Sequence, residues 1–79
     1  MTRYLNRGGN SGVVEYEIAP DSITVAFSNR SGGTSGYLYN YAKPGEQNVE
    51  KMKTLAEAGR GLNSFISTTI KKNYARKLW

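Results

Sequence analysis

Hydrophobic and polar residues alternate along two segments in the first half of the chain. The first segment sets apolar residues against mainly acidic ones, with Val14, Tyr16 and Ile18 on one face and Val13, Glu15 and Glu17 on the other. The second sets larger apolar residues against small ones, with Ile23, Val25 and Phe27 on one face and Thr24, Ala26 and Ser28 on the other. Because side chains of a β-strand point alternately to opposite faces, the pattern predicts two strands, joined by a turn at Pro20-Asp21-Ser22.

A third strand is predicted at Tyr37-Leu38-Tyr39-Asn40-Tyr41, where tyrosine recurs at every second position. This period places all three rings on one face of the strand. The glycine-rich stretch 29–36 that precedes it predicts a long, flexible hairpin loop. Three consecutive strands with short connections favour an antiparallel meander.

Beyond Lys43-Pro44-Gly45 the apolar residues change to a helical spacing. A first stripe consists of Val49, Met52, Leu55 and Ala56. Gly59 follows it, where a left-handed residue would close the helix. A second stripe consists of Leu62, Phe65, Ile66 and Ile70, with Tyr74 one turn further on. The predicted fold is therefore α+β, a three-stranded antiparallel meander followed by two helices packed on one face (β-β-β-α-α).

The length and composition indicate one small domain. The chain has 79 residues and no cysteine or histidine. We expect a flexible, basic, glycine-rich arm at residues 1–12, a single α+β domain at 13–76 and a tail at 77–79. No apolar run approaches the roughly 20 residues that span a bilayer, and the first residues do not resemble a secretory signal. The expectation is a cytoplasmic protein without disulfides, membrane contact or a cofactor.

Charge is unevenly distributed along the chain. The net charge of +5 divides into +2 for residues 1–12, −2 for 13–57 and +5 for 58–79. The last of these segments contains cations and no acid, namely Arg60, Lys71, Lys72, Arg76 and Lys77. Such segregation suggests an anionic partner, although basic residues of this kind can also serve only to keep a small domain soluble.

The chain resembles the KTSC domain family, which occurs at the C-terminus of some lysyl-tRNA synthetases and as small free-standing bacterial proteins. The resemblance covers roughly residues 14–76. It includes the sheet segment 16–27, Tyr37-Leu38-Tyr39 as the family's Tyr-x-Tyr motif, and the Pro-led helix that follows. It is completed by the segments 59–66 and 70–74. The resemblance implies an α+β fold and an RNA-binding role, and it brings no catalytic residues.

The leading functional hypothesis is a module that binds nucleic acid, as RNA or single strands. Phosphates would contact the five cations of residues 58–79, while Tyr37 and Tyr41 would stack on bases. Arg60 and the lysine pair Lys71-Lys72 stand at the two ends of one predicted helix and could bracket a phosphate chain. The tyrosine face has two interpretations, an exposed stacking platform or a core surface under the helices. In the second interpretation Tyr39 is buried against Met52, Leu55 and Phe65.

The sequence predicts no enzyme. Glu15 and Glu17 resemble a catalytic carboxylate pair, but both would lie on an exposed surface, so a solvated strand face is expected. Ser64, Thr68 and Thr69 have no histidine to activate them. The acidic and amide residues show no spacing typical of a metal loop, and no metal is predicted.

Leu78 and Trp79 are large apolar residues in a region predicted to be a tail. They either fold back onto the domain or anchor a protein partner, since aromatic anchors dominate interface energetics. The alternative function is therefore a protein-binding inhibitor or adaptor, such as a phage or mobile-element accessory protein that blocks a host factor. A third option is a protein that binds a small nucleotide. The oligomeric state stays open.

Overall fold

The computed structural model describes residues 1–9 and 11–79 and contains one five-stranded antiparallel sheet. The strands follow one another in chain order across the sheet: β1 (Thr2–Arg3), β2 (Val13–Ala19), β3 (Ser22–Ser28), β4 (Thr34–Asn40) and β5 (Arg76–Lys77). The prediction of an α+β fold with an antiparallel sheet is confirmed. The three predicted strands form the centre of the sheet, which is widened by a two-residue strand at each edge.

A β-bulge changes the faces that were predicted for β2. Val13 lies opposite Phe27 and Glu15 lies opposite Ala26, so that Val14 is an extra residue between the two pairs. The extra residue brings Val13 onto the same face as Tyr16, and both are buried. The strict alternation expected from the sequence, with Val13 on the acidic face, is therefore wrong at the start of the strand.

Two helical segments cover one face of the sheet. Helix α1 (Glu46–Ala58) ends at Gly59, whose φ of 73° is the left-handed conformation predicted for its cap. Helix α2 (Leu62–Phe65) continues directly into a π-helical turn (Ile66–Ile70). None of the described helices is long and apolar enough to cross a membrane.

The core lies between this helical layer and the sheet. Both helical segments and the central strands contribute to one buried cluster, whose fully or almost fully buried members include Ile23, Val25, Tyr39, Val49, Met52 and Leu62. Ile66 and Ile70 extend it along the π-helical turn. A core of this size supports a net stability of only about 3–5 kcal/mol, so each large buried ring matters for folding.

Residues of the N-terminal segment are packed on the domain, whereas the sequence predicts a flexible arm at residues 1–12, of which Asn10 lies outside the described residues. Tyr4 is 3% exposed, and its hydroxyl accepts a hydrogen bond from the amide of Leu62 at 3.3 Å. The Arg7 amide donates to the carbonyl of Gly59 at 2.7 Å, and its guanidinium donates to Ala58 at 3.0 Å. One aromatic anchor and two carbonyl groups at the end of α1 therefore fix residues of a segment whose composition suggested flexibility.

Candidate anion-binding cleft

The tyrosines of β4 lie in three different environments. Tyr39 is 2% exposed and belongs to the core, as predicted for the middle ring. Its burial raises the pKa of its phenol above the usual range, with smaller contributions from Tyr37 and Tyr74. Tyr37 is half-buried at the edge of the cluster. Tyr41 follows the last residue of the strand, so the three rings do not form one exposed platform.

A cleft with a volume of about 600 Å³ is lined by the sheet, by the π-helical turn and by the segment that follows it. Its floor is the end of the β3–β4 pair, and its sides are the end of the π-helical turn and the segment around β5. Its lining is aromatic, hydroxylic and basic, and consists of Phe27, Ser28, Asn29, Ser35, Tyr37, Tyr39, Ile66, Lys71, Lys72, Tyr74 and Lys77. Among the residues that the structure describes, none of those lining the cleft is acidic.

Four aromatic rings form the inner part of the cleft. Tyr37 lies at the centre, with its ring centroid 5.9 Å from Phe27 in an edge-to-face arrangement and 4.7 Å from Tyr74. Tyr74 also meets Tyr39 edge-to-face at 6.3 Å. These separations are typical of stabilising aromatic pairs. The cluster presents partly buried rings to the cleft and holds Tyr37 between its neighbours.

Three lysines surround these rings. Lys71 and Lys72 come from the end of the π-helical turn, and Lys77 comes from β5. The Lys77 ammonium lies 5.9 Å from the centroid of Tyr37, within cation–π range. Among the described residues the one ion pair is Lys53–Glu50, which lies elsewhere. The cleft therefore combines concentrated positive charge with aromatic surface.

The backbone reverses direction at Lys71. This reversal brings the pair Lys71-Lys72 and the later Lys77 to the same cleft. Ile66 and Ile70 bury their side chains and fix the π-helical turn on the core. Lys71 then adopts a φ of 55°, which is unusual for a residue with a side chain, while its amide donates to the Ile66 carbonyl. The chain returns through Tyr74 to pair with β4, where Lys77 lies opposite Tyr37.

The structure separates the other predicted site residues from this cleft. Arg60 lines a different pocket, of about 150 Å³, next to Tyr4. Arg76 pairs with Leu38, and since neighbouring strand residues face opposite ways, it points away from Lys77. Of the five cations predicted to contact phosphates, the structure brings three lysines together, and a phosphate contact at these two arginines stays a prediction.

Tyr41 lies at the other end of β4 and is part of a hydrogen-bonded network. Its hydroxyl donates to Glu50 Oε2 at 2.6 Å and also lies 3.2 Å from the Pro20 carbonyl oxygen. The hydrogen bond to Glu50, with smaller effects of desolvation and nearby carboxylates, raises the pKa of Tyr41 to about 12. Tyr41 is therefore bound into this network apart from Tyr37, and its predicted role in stacking on a base stays a prediction.

Several residues of the cleft are not among the site residues that the sequence predicts. The sequence predicts Phe27 on a strand face and Tyr74 one turn beyond a helix stripe, and Ser28, Asn29 and Ser35 lie in or beside the predicted loop. The register Phe27↔Ser35 and Val25↔Tyr37 puts Phe27 on the face of Tyr37. The available signal for Phe27 was the alternation of β3, which sets it on one face with Ile23 and Val25. Nothing in the sequence indicated that Tyr74 would turn back to the same place.

The last two residues are folded back on the sheet. Gly36 and Trp79 exchange backbone hydrogen bonds, at 3.1 Å from the Gly36 amide and 3.4 Å from the Trp79 amide. The Trp79 indole also donates to Thr34 Oγ1 at 2.9 Å. Leu78 and Trp79 nevertheless keep 41% and 46% of their surface exposed. The pair was expected either to fold back onto the domain or to anchor a protein partner. The contacts of the Trp79 indole agree with the first of these alternatives.

No group of three or more carboxylates that could hold a metal ion is found in the part of the chain that the structure describes. Comparison of the sequence and the structure with protein-family models, curated proteins and solved structures returns no significant match. The resemblance to the KTSC family therefore stays a prediction, and the functional argument depends on the geometry of the cleft.

Proposed function

We propose that this protein is a non-enzymatic module that binds an unpaired nucleic-acid strand, RNA or single-stranded DNA, in the lysine-lined aromatic cleft. The observation that carries the proposal is the convergence of Lys71, Lys72 and Lys77 on an aromatic surface without an acidic residue. Phosphates favour such a site by charge, and bases favour it by stacking at about 1–3 kcal/mol per base. The resemblance to KTSC domains supports the same proposal.

The partial burial of the aromatic rings favours an unpaired strand over a duplex. Phe27, Tyr37 and Tyr74 are only partly buried, but they lie inside the cleft with the lysines around them. In a duplex the faces of the bases are stacked on one another, so that only phosphates could reach the lysines. An unpaired base can leave its neighbours and enter, as in single-strand recognition by aromatic side chains.

The salt dependence of binding tests the proposal. Three lysine–phosphate contacts with a single strand should give a slope of log K against log salt near −2, from about −0.7 per contact. We would measure fluorescence anisotropy of a labelled oligouridine over a range of salt concentrations. The variant Lys71→Gln/Lys72→Gln/Lys77→Gln should bring the slope close to zero without changing the melting temperature appreciably.

The matched control is Arg60→Gln/Arg76→Gln, which removes two exposed cations that lie outside the cleft. This variant should keep the slope of the unaltered chain. The proposal fails if the unaltered chain shows no binding at low salt, or if the control lowers the slope as much as the lysine variant does.

A small nucleotide is a second candidate ligand, because the volume of the cleft lies within the range of small-molecule sites, about 300–1,000 Å³. Calorimetry with a panel of mononucleotides separates the two: a mononucleotide ligand would bind as tightly as an oligomer. The hypothesis of a protein partner at Leu78 and Trp79 also stays a prediction. A partner recovered from lysate after nuclease treatment, and lost on deleting residues 77–79, would support it.

A further inference from the structure

One side of the cleft has a narrow attachment to the sheet. We call residues 74–79 the C-terminal wall, since Tyr74 and Lys77 from this segment line the cleft. The wall pairs with β4 over two residues only, Arg76 and Lys77. On either side of this pairing the amide of Ala75 donates to Leu38 and that of Leu78 donates to Gly36, both at 2.7 Å. A two-residue edge strand has little stability of its own, so its position depends on further contacts.

Trp79 provides such a contact on the opposite face of the sheet. Gly36 and Trp79 are paired by reciprocal backbone hydrogen bonds, while Tyr37 is paired with Lys77, so Leu78 is an extra residue in the manner of a β-bulge. Trp79 consequently shares the face of Gly36, which is the face opposite to Tyr37. A Cβ atom on Gly36 would lie 2.5 Å from the indole ring, which shows how closely the ring covers this position.

The indole is fixed in direction as well as in position. Its Nε1 donates to Thr34 Oγ1, two residues before Gly36 on the same face of β4. Ala26, the register partner of Gly36 on β3, is fully buried on that face. Trp79 is thus joined to β4 by the Thr34 hydrogen bond, the contact with Gly36 and two backbone hydrogen bonds.

We infer that Trp79 is the positioning residue of the cleft: by holding β4 from the far face of the sheet, it keeps Lys77 and Tyr74 of the C-terminal wall at the ligand. The inference rests on the proposed function for its ligand. It assigns to Trp79 a role that acts through the backbone of β5, since the indole and the cleft lie on opposite faces.

Salt dependence distinguishes positioning from a general loss of stability. Trp79→Ala should weaken binding of labelled oligouridine and reduce the magnitude of the salt slope by about 0.7, the value of one phosphate contact. Lys77→Gln should produce the same reduction. Adding Lys77→Gln to Trp79→Ala should reduce the slope no further, because both changes remove the same contact. A partly unfolded population would lower the apparent affinity without changing the slope.

Two further variants define what Trp79 contributes. Trp79→Phe keeps a ring over Gly36 and should recover most of the slope. Gly36→Ala places a methyl group where the indole lies, and should reproduce the effect of Trp79→Ala. Leu78→Ala is the control within the wall, because Leu78 contributes its backbone to the pairing and should keep the slope of the unaltered chain.

Amide hydrogen exchange gives a readout that needs no ligand. In Trp79→Ala the amides of Ala75 and Leu78 should exchange faster by an order of magnitude or more, while amides of β3 keep their protection. Unchanged exchange at both amides, or a salt slope equal to that of the unaltered chain, would overturn the inference. If the unaltered chain binds no oligouridine, the proposed function fails, and the exchange of these two amides alone decides whether Trp79 positions the wall.

Discussion

Strand β4 has a lysine–tyrosine pair at its middle and another just beyond its last residue, in opposite electrostatic conditions. At each place a lysine ammonium lies near a tyrosine ring, with Lys53 at 5.7 Å from the Tyr41 centroid and Lys77 at 5.9 Å from the Tyr37 centroid. We call the Tyr41 side the neutralised end of β4, because the Lys53 ammonium there lies 2.8 Å from Glu50 Oε2 and donates to the Pro20 carbonyl at 3.0 Å. The first half of β4 up to Tyr37, next to Lys71, Lys72 and Lys77, is called the basic end.

The difference shows how one type of contact can stabilise the fold or remain available to a ligand. At the neutralised end the side chain of Lys53 is largely buried, and a buried charge is tolerated only when its hydrogen bonds and counter-charge are supplied. At the basic end the lysines are exposed and none forms an ion pair with another described residue. Exposed like charges around an apolar cleft repel one another, and a bound anion would offset this repulsion.

The largest expected effect lies between the two ends, at Tyr39. Truncating a fully buried aromatic ring costs about 3–5 kcal/mol, comparable to the whole stability of so small a domain. Tyr39→Ala should therefore leave the chain mostly unfolded, as measured by circular dichroism and urea denaturation. Tyr41→Ala should be milder, because Tyr41 is 36% exposed at the neutralised end.

A cooperative melt close to that of the unaltered chain would contradict the burial of Tyr39. If such a variant also lost nucleic-acid binding, Tyr39 would belong to the ligand surface, and the core assignment of the tyrosine face would be wrong.

The next largest effect is expected from replacing a lysine of each end by methionine. Lys53→Met removes a hydrogen-bonded charge from a partly buried network and should destabilise the fold by about 1–3 kcal/mol. Its affinity for oligouridine should be unchanged. Lys77→Met should change the stability by no more than about 0.5 kcal/mol, as is usual for an exposed position. It should, however, reduce the salt slope of binding.

Urea denaturation and anisotropy on the same two proteins provide the comparison, and each variant is the control for the other. Loss of binding in Lys53→Met without loss of stability would show that the neutralised end also takes part in recognition.

The sequence predicted the elements whose pattern is long enough to show a period. The alternation of β3 and the helical stripe of α1 with its cap at Gly59 were identified in this way. Strands β1 and β5 were missed because two residues display no period. The bulge at Val14 was missed because it depends on the pairing of β2 with β3 rather than on β2 alone.

The site was predictable in its chemistry and less so in its geometry. Charge segregation pointed to Lys71, Lys72 and Lys77, but a count of cations cannot show that Arg76 faces away from Lys77 or that Arg60 lies in another pocket. The contribution of Tyr74 depends on the reversal at Lys71, where a non-glycine residue has a positive φ. Such a conformation is imposed by tertiary packing and leaves no mark in composition.

The smallest expected effect concerns pH, and it belongs to the neutralised end. Hydrogen bonds from Lys53 and then from Tyr41 hold the pKa of Glu50 below its usual value of 4.5. The folded state therefore binds this proton less readily than the unfolded state. The resulting stabilisation is present above pH 4.5 and is lost as the pH falls through the lowered pKa.

The same hydrogen bond acts with the opposite sign in alkali. Because the pKa of Tyr41 is raised from 10.0 to about 12, its stabilisation is complete below pH 10 and is lost as the pH rises towards 12. Tyr41→Phe removes this bond, and should make the free energy of unfolding depend less on pH at both extremes. Urea denaturation at a series of pH values measures the loss of stability in acid and in alkali.

Some loss of stability in alkali should persist in Tyr41→Phe, because burial also raises the pKa of Tyr39. Equal pH dependence of the variant and the unaltered chain would show that the Tyr41–Glu50 bond does not contribute to stability. Since the bond lies at the far end of β4 from the basic end, Tyr41→Phe should leave oligouridine binding at neutral pH unchanged.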